Sequence, residues 1–168
     1  WDIGSLIFAH LAALDLGLMP KDDFSAWRET LIETLKAATL PGVDLPRAYF
    51  PVDAPQTGSQ DYNARDAGRL LSALKALDRR APQDDTSVQD LVHGWAFAST
   101  IVDGTPHSLE GGKFVADPET TCSDLHGRTF ALWGIDAASA YDVFNQGTTL
   151  TDHRMHLLSK TAEIGNLG

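Results

Sequence analysis

The sequence is poor in cysteine and in positive charge. It has one cysteine, Cys122, and 13 basic residues against 23 acidic ones. A lone cysteine excludes an intrachain disulfide and any metal site built from several thiolates. A formal charge of −10 argues against nucleic acid or an anionic membrane as the main partner, since both require a basic surface. Long apolar runs are also missing. The longest, Leu6 to Leu14 broken by His10, is too short to cross a bilayer, so no membrane insertion is expected. The six histidines show no metal-site spacing. His10 lies in an apolar stretch and reads as a satisfied core residue, and His153 and His156 lack an accompanying zinc motif. Cys122 has no evident base beside it and reads as a small packed residue. Phosphate-loop and nucleophile-elbow patterns are absent. No cofactor and no metal is expected.

What is present fits a globular domain. The chain has 168 residues, 43% of them hydrophobic and 21% charged, which is enough for one domain with a sizeable core. Apolar residues at three- and four-residue steps predict a helix over 3–16, with Asp2 as its cap and Gly17 as its stop. A second helix starts at Pro20 and ends at Pro41-Gly42. Its stripe is Leu31, Leu35 and Ala38, and Arg28, Glu29, Glu33 and Lys36 are expected on its other side. Residues 41–62 hold Pro41, Pro46, Pro51 and Pro55 and read as a long ordered loop carrying Tyr49, Phe50 and Tyr62. Helices are then expected over 64–80, from Ser87 to about Trp95, and from Ser123 to Trp133. Between the last two, β-branched residues with Asp103-Gly104 and Gly111-Gly112 predict a small β-hairpin or meander near residues 97–116.

One feature is written twice. "WDIGSLIFAHLAAL" and "RDAGRLLSALKAL" align so that Asp2, Gly4, Leu6, Ala9 and Ala12 meet Asp66, Gly68, Leu70, Ala73 and Ala76. Two apolar, small-residue helices separated by a more charged one are what stacked helical hairpins produce when they curve into a toroid. The inner helices of such a stack run parallel, so Asp2 and Asp66 would meet at one mouth. Each acid could simply stabilise its helix start. Together they could serve a glycosidic bond, one as proton donor and one as base or nucleophile. Trp1, Tyr49 and Tyr62 flank these starts and could stack on sugar rings, with Asn63 and Arg65 as hydrogen-bonding groups. Phe50, Trp27, Trp95 and Trp133 read as ordinary packing.

The string "WDIGSLIFAHLAALDLGL" resembles the core of a bacterial glucoamylase-like domain family of unknown function. That family is related to endo-β-1,2-glucanases and to other (α/α)6-toroid carbohydrate enzymes. "LPRAYF", "DYNARDAGRLLSALKAL", "IVDGTPHSLEGGKF" and "GRTFALWGID" resemble further family segments in the same order, over roughly residues 1–136. The resemblance implies a mainly α fold of helical hairpins forming a partial (α/α)6-type toroid with one small β-hairpin. It also implies a periplasmic or extracellular setting and a glycoside hydrolase acting on a β-glucan-like oligo- or polysaccharide. Where the family has a two-glutamate stretch, this chain has "ADPETTCSDL". Asp117 or Asp124 is the candidate remaining acid, and Glu119 a candidate substrate contact. The sequence begins at Trp1, and residues 1–168 are expected to be a single, incomplete or excised copy of the family domain. A glycan-binding domain that has lost its catalytic acids is the alternative, and a helical protein-interaction module is the third reading.

Overall fold

The computed structural model describes residues 2–116 and 129–137. Four α-helices lie in the first part: α1 (Asp2–Asp15), α2 (Lys21–Ala37), α3 (Ala64–Asp78) and α4 (Ser87–His93). Three strands follow, β1 (Ile101–Val102), β2 (Thr105–Glu110) and β3 (Lys113–Ala116). Single 3-10 turns cover Pro55–Thr57 and Phe97–Thr100. About half of the described residues are therefore helical, with a small antiparallel sheet beside them.

α1 is held inward by Ile7 and Leu11, with Ile3 and Leu14 beside them. It ends where Gly17 takes φ +68° and the Leu18 N–H reaches back to the Ala13 carbonyl at 2.8 Å, a left-handed closure that glycine adopts without a Cβ penalty. Asp2 is the first residue of this helix rather than its cap. α2 begins after Pro20, with Asp22 and Asp23 in its first turn, where the dipole favours acids. Its buried face is Phe24, Arg28, Leu31, Ile32 and Leu35. Arg28, expected outside, belongs to this face because positions 24, 28, 31 and 35 share one helical stripe. Its charge is met there by Asp85.

α3 is the central helix. Leu71, Leu74 and Leu77 are fully enclosed, and Ala67, Gly68 and Ala73 are buried beside them. α1 lies along α3 in parallel. Arg69 donates from Nε and Nη2 to the Ser5 hydroxyl at 3.2 and 2.9 Å, and Arg80 forks onto Asp15 at 2.7 and 2.9 Å. Start thus meets start and end meets end. The Ser5–Arg69 pair is 64 residues apart, the same offset that relates Asp2 to Asp66, so the repeated helices lie with equivalent positions side by side. Gly4 makes this approach possible: a Cβ there would come 3.2 Å from the Arg69 carbonyl oxygen and 2.9 Å from its Cγ.

The sheet has the order β1-β2-β3, with Val102 paired to Thr105 and Glu110 to Lys113. Both connections are two-residue turns with positive φ at each position, 50° and 74° at Asp103-Gly104 and 55° and 78° at Gly111-Gly112. That is the hairpin geometry these residue pairs favour. The hairpin or meander expected over 97–116 is thus a three-stranded meander, and it starts at Ile101. Residues 97–100 form a 3-10 turn because Phe97 is drawn into the core. Its ring meets Tyr62, Trp95 and Phe130 at centroid distances of 6.0, 5.5 and 5.4 Å, within the range of favourable aromatic pairs.

Of the predicted last helix, residues 129–131 are helical, and the chain turns at Gly134 with φ +74°. Trp95 and Trp133 are core residues as expected. Trp27 is half-buried and stacks on His10 at 3.8 Å, while His10 Nδ1 lies 2.9 Å from the Leu6 carbonyl oxygen.

Candidate functional site

The start of α3 is built by three neighbours. Tyr62 and Leu109 exchange backbone hydrogen bonds at 3.0 and 2.9 Å, so the sheet edge is joined to the chain just ahead of the helix. The Ala64 N–H then donates to the Ser108 hydroxyl at 3.0 Å, and the Asp66 N–H to Asn63 Oδ1 at 3.0 Å. Two of the orphan donors of the helix end are satisfied in this way. Asp66 is the third helical residue and is half-buried, whereas Asp2, first in α1, is exposed. Because α1 and α3 run parallel, the two carboxylates sit at the same end of adjacent helices.

The loop over 41–62 is ordered by its own hydrogen bonds. Ala48 N–H donates to the Asp61 carbonyl at 2.8 Å and Ser59 N–H to the Tyr49 carbonyl at 2.9 Å. Arg47 Nη1 donates to the Ser59 and Gly58 carbonyls at 2.7 and 3.3 Å. Asp61 Oδ1 accepts from the Gly111 N–H at 3.0 Å, tying the loop to the β2–β3 turn. Gly58 lies against the Tyr49–Phe50 backbone with no room for a side chain. The loop ends directly at the α3 start, and it presents Tyr49 outward, 72% exposed. An exposed phenol ring on a fixed loop is a surface on which an apolar ring face can stack.

Tyr62 is not part of that surface. It is 1% exposed and packs on Phe97, because its backbone pairing with Leu109 directs the ring into the core. Its reading as a stacking residue is corrected accordingly. Burial pushes the Tyr62 phenol well above its usual ionisation range, and the Thr100 side chain opposes this only in part. The hydroxyl has no hydrogen-bond partner of good geometry among the described residues. Asn63 is the cap of α3, so its side-chain oxygen serves the helix. Arg65 is half-buried one residue past the helix start, and Phe50 packs against the core as expected. Trp1, Asp117, Glu119 and Asp124 lie outside the described residues, as do Cys122, His153 and His156.

A second polar cluster joins α2 to α4. Arg28 Nη1 donates to Asp85 Oδ2 at 2.5 Å and Nη2 to the Ser87 hydroxyl at 3.0 Å. Asp85 Oδ1 in turn accepts from the Ser87 N–H and hydroxyl at 2.9 and 2.6 Å. The hydrogen bond from Arg28, followed by those from Ser87, holds the Asp85 carboxyl far below the usual carboxylate range. Every partner is internal, and the cluster is a clamp between helices.

Sequence reasoning missed Ser108 and Arg47. Asn63-x-x-Asp66 ahead of an apolar run is a helix-start pattern, but the sequence reading gave Asn63 to a sugar instead. Nothing local marks Ser108, which reaches α3 from 44 residues away. Among the described residues no three His, Cys, Asp or Glu side chains gather into a metal-binding group, and no helix is long and apolar enough to cross a membrane.

The described residues are about half helical: two repeated helices pack in parallel, with a three-stranded meander and an ordered aromatic loop at the start of the central helix. The chain belongs to the family described as "Protein of unknown function (DUF3131)", whose model matches residues 1–160. No curated protein and no solved structure matches it.

Proposed function

We propose that this chain is a glycan-processing protein of the bacterial cell envelope, periplasmic or extracellular. In this reading it is a glycoside hydrolase-like domain related to the glucoamylase-like, (α/α)6-toroid carbohydrate enzymes and acts on a β-glucan-like polysaccharide. The observation that carries the reading is the parallel packing of α1 on α3, which supports a common mouth for Asp2 and Asp66. Asp66 would be a catalytic carboxylate and Asp2 its partner or a sugar ligand. Tyr49 and Trp1 would offer ring faces to the sugar, and Arg65 would donate to its hydroxyls. Asp117 or Asp124 would be the remaining acid, with Glu119 as a substrate contact.

Incubation with linear glucans of different linkage, with reducing ends measured over time, tests the chemistry. Cleavage that falls at least about a hundredfold in Asp66→Asn is the expected result, since removal of a general acid or base costs on the order of 10²–10⁴ in rate. No cleavage by the wild type, or equal cleavage by the variant, defeats the catalytic reading. A non-catalytic glycan-binding role is favoured by the exposure of Asp2 and Tyr49, because an open surface suits ligand contact better than chemistry that excludes water. It predicts calorimetric binding of oligosaccharides, lost in Trp1→Ala or Tyr49→Ala, without turnover.

A further inference from the structure

α1 and α2 turn different chemistry outward. α2 exposes Glu29, Glu33 and Lys36, the polar outside expected of a helix at a protein surface. α1 exposes apolar residues instead. Ala9, Ala12 and Leu16 fall on one exposed stripe, and the Leu16 N–H continues the helical pattern to the Ala12 carbonyl at 2.9 Å. Leu6 and Phe8 flank this stripe at 45% and 40% exposure, and Leu16 and Leu18 are 73% and 76% exposed.

The repeat supplies a comparison within the molecule. Leu70 and Ala73 of α3 are the counterparts of Leu6 and Ala9, and both are buried. Ala76, the counterpart of Ala12, packs against the core. The same residues are therefore covered in α3 and open in α1. A helix that is apolar all round is ordinarily covered on every side, and a contiguous exposed apolar patch marks an interaction surface.

Charge selects what fits there. No lysine or arginine precedes Lys21, whereas α1 carries Asp2 and Asp15 at its two ends. Arg80 already meets Asp15, and Asp2 is exposed. A second copy of this chain would set a formal charge of −10 against its equal, and an anionic bilayer is repelled in the same way. A helix with an apolar stripe between basic residues meets both the apolar face and the excess of acid.

We infer that the outward face of α1, continued by Leu16 and Leu18, docks an amphipathic helix of a partner protein, apolar along its contact stripe and flanked by lysine or arginine. This docking does not depend on the proposed hydrolysis.

The test is fluorescence anisotropy of a labelled synthetic peptide titrated with the full chain. The peptide is about 18 residues long, enough to form a helix, with a leucine–alanine face and lysine on both sides of it. A second peptide has glutamate at each lysine position. Saturable binding of the lysine peptide, and at least about tenfold weaker binding of the glutamate peptide, is expected. Ala12→Glu should weaken the lysine peptide about tenfold or more, because docking would then cover a carboxylate with apolar groups. A peptide held by charge alone would bind Ala12→Glu at least as tightly as wild type, and that result overturns the docking face. Leu16→Glu repeats the measurement if Ala12→Glu fails to fold. No saturable binding of the lysine peptide also overturns it, and equal binding of the two peptides overturns the basic partner. Sedimentation of the chain alone covers the remaining occupant: a dimer dispersed by Ala12→Glu would make a second copy the occupant and overturn the partner helix. Glucan cleavage that is unchanged in Ala12→Glu while peptide binding is lost would support the docking face and leave the hydrolase reading untouched.

Discussion

Replacing Gly58 with alanine should be among the most damaging single-methyl additions in this protein, and for a reason its backbone angles conceal. Its φ is −69°, a value any residue adopts, so conformational strain is not at issue. The obstacle is space. A Cβ at Gly58 would lie 2.3 Å from the Tyr49 carbonyl oxygen, 2.6 Å from Phe50 Cβ and 2.7 Å from Phe50 Cα. Backbone atoms supply two of these contacts, and no side-chain rotation can relieve them. The chain must separate where Ser59 N–H meets the Tyr49 carbonyl at 2.9 Å and where Arg47 holds the Gly58 and Ser59 carbonyls. Overpacking costs about 1–3 kcal/mol and each weakened hydrogen bond about 1 kcal/mol, so a loss of roughly 2–4 kcal/mol is expected. Gly17→Ala is the control. Gly17 has φ +68° and open space around its absent Cβ, so only the left-handed conformation is penalised, at about 1–2 kcal/mol. Urea unfolding followed by circular dichroism measures both variants. At about 2–4 °C per kcal/mol for a domain of this size, Gly58→Ala should melt about 4–16 °C below wild type. A Gly58→Ala protein within about 0.5 kcal/mol of wild type, or less perturbed than Gly17→Ala, would refute the close packing of the loop.

Four further substitutions test the core and the helix pair. Arg28→Met leaves Asp85 without its cation. With the pair only partly buried, the loss should be about 2–3 kcal/mol, between the values for exposed and fully buried pairs. The Asp85 carboxyl is depressed in the folded state, so its contribution is present above the unfolded value near pH ~3.9 and is lost as pH falls through the folded one. Asp85→Asn should therefore flatten the decline of stability below about pH 5, and an unchanged acid profile would count against the clamp. Tyr62→Phe removes a buried hydroxyl lacking a good partner and should change stability by less than about 1 kcal/mol. Because the folded phenol is raised, its contribution is present below pH ~10 and lost above it, so this variant should resist alkaline unfolding better; a loss beyond ~1.5 kcal/mol would mean the hydroxyl is bonded. Gly4→Leu should force α1 off α3 and destabilise by about 1–3 kcal/mol through overpacking, and retention of wild-type stability would contradict the close helix contact.

The repeated Asp-x-Gly helix starts, the helix stops and the two hairpin turns are written in local residue chemistry, and each could be read one residue at a time. A helical period needs only the next turn of chain to be seen, and a left-handed glycine needs only its own backbone. The parallel pairing of α1 with α3 was legible for the same reason, since a repeat of small residues marks where helices approach. Three features were decided by contacts between residues distant in sequence. Tyr62 is in the core because Leu109 holds its backbone, the charge that Arg28 carries on the inner stripe of α2 is met by Asp85, and α3 is capped in part by Ser108. Each of these partners lies more than 40 residues away. A side chain's surroundings depend on which distant segment folds against it, and pattern along the chain carries no record of that choice.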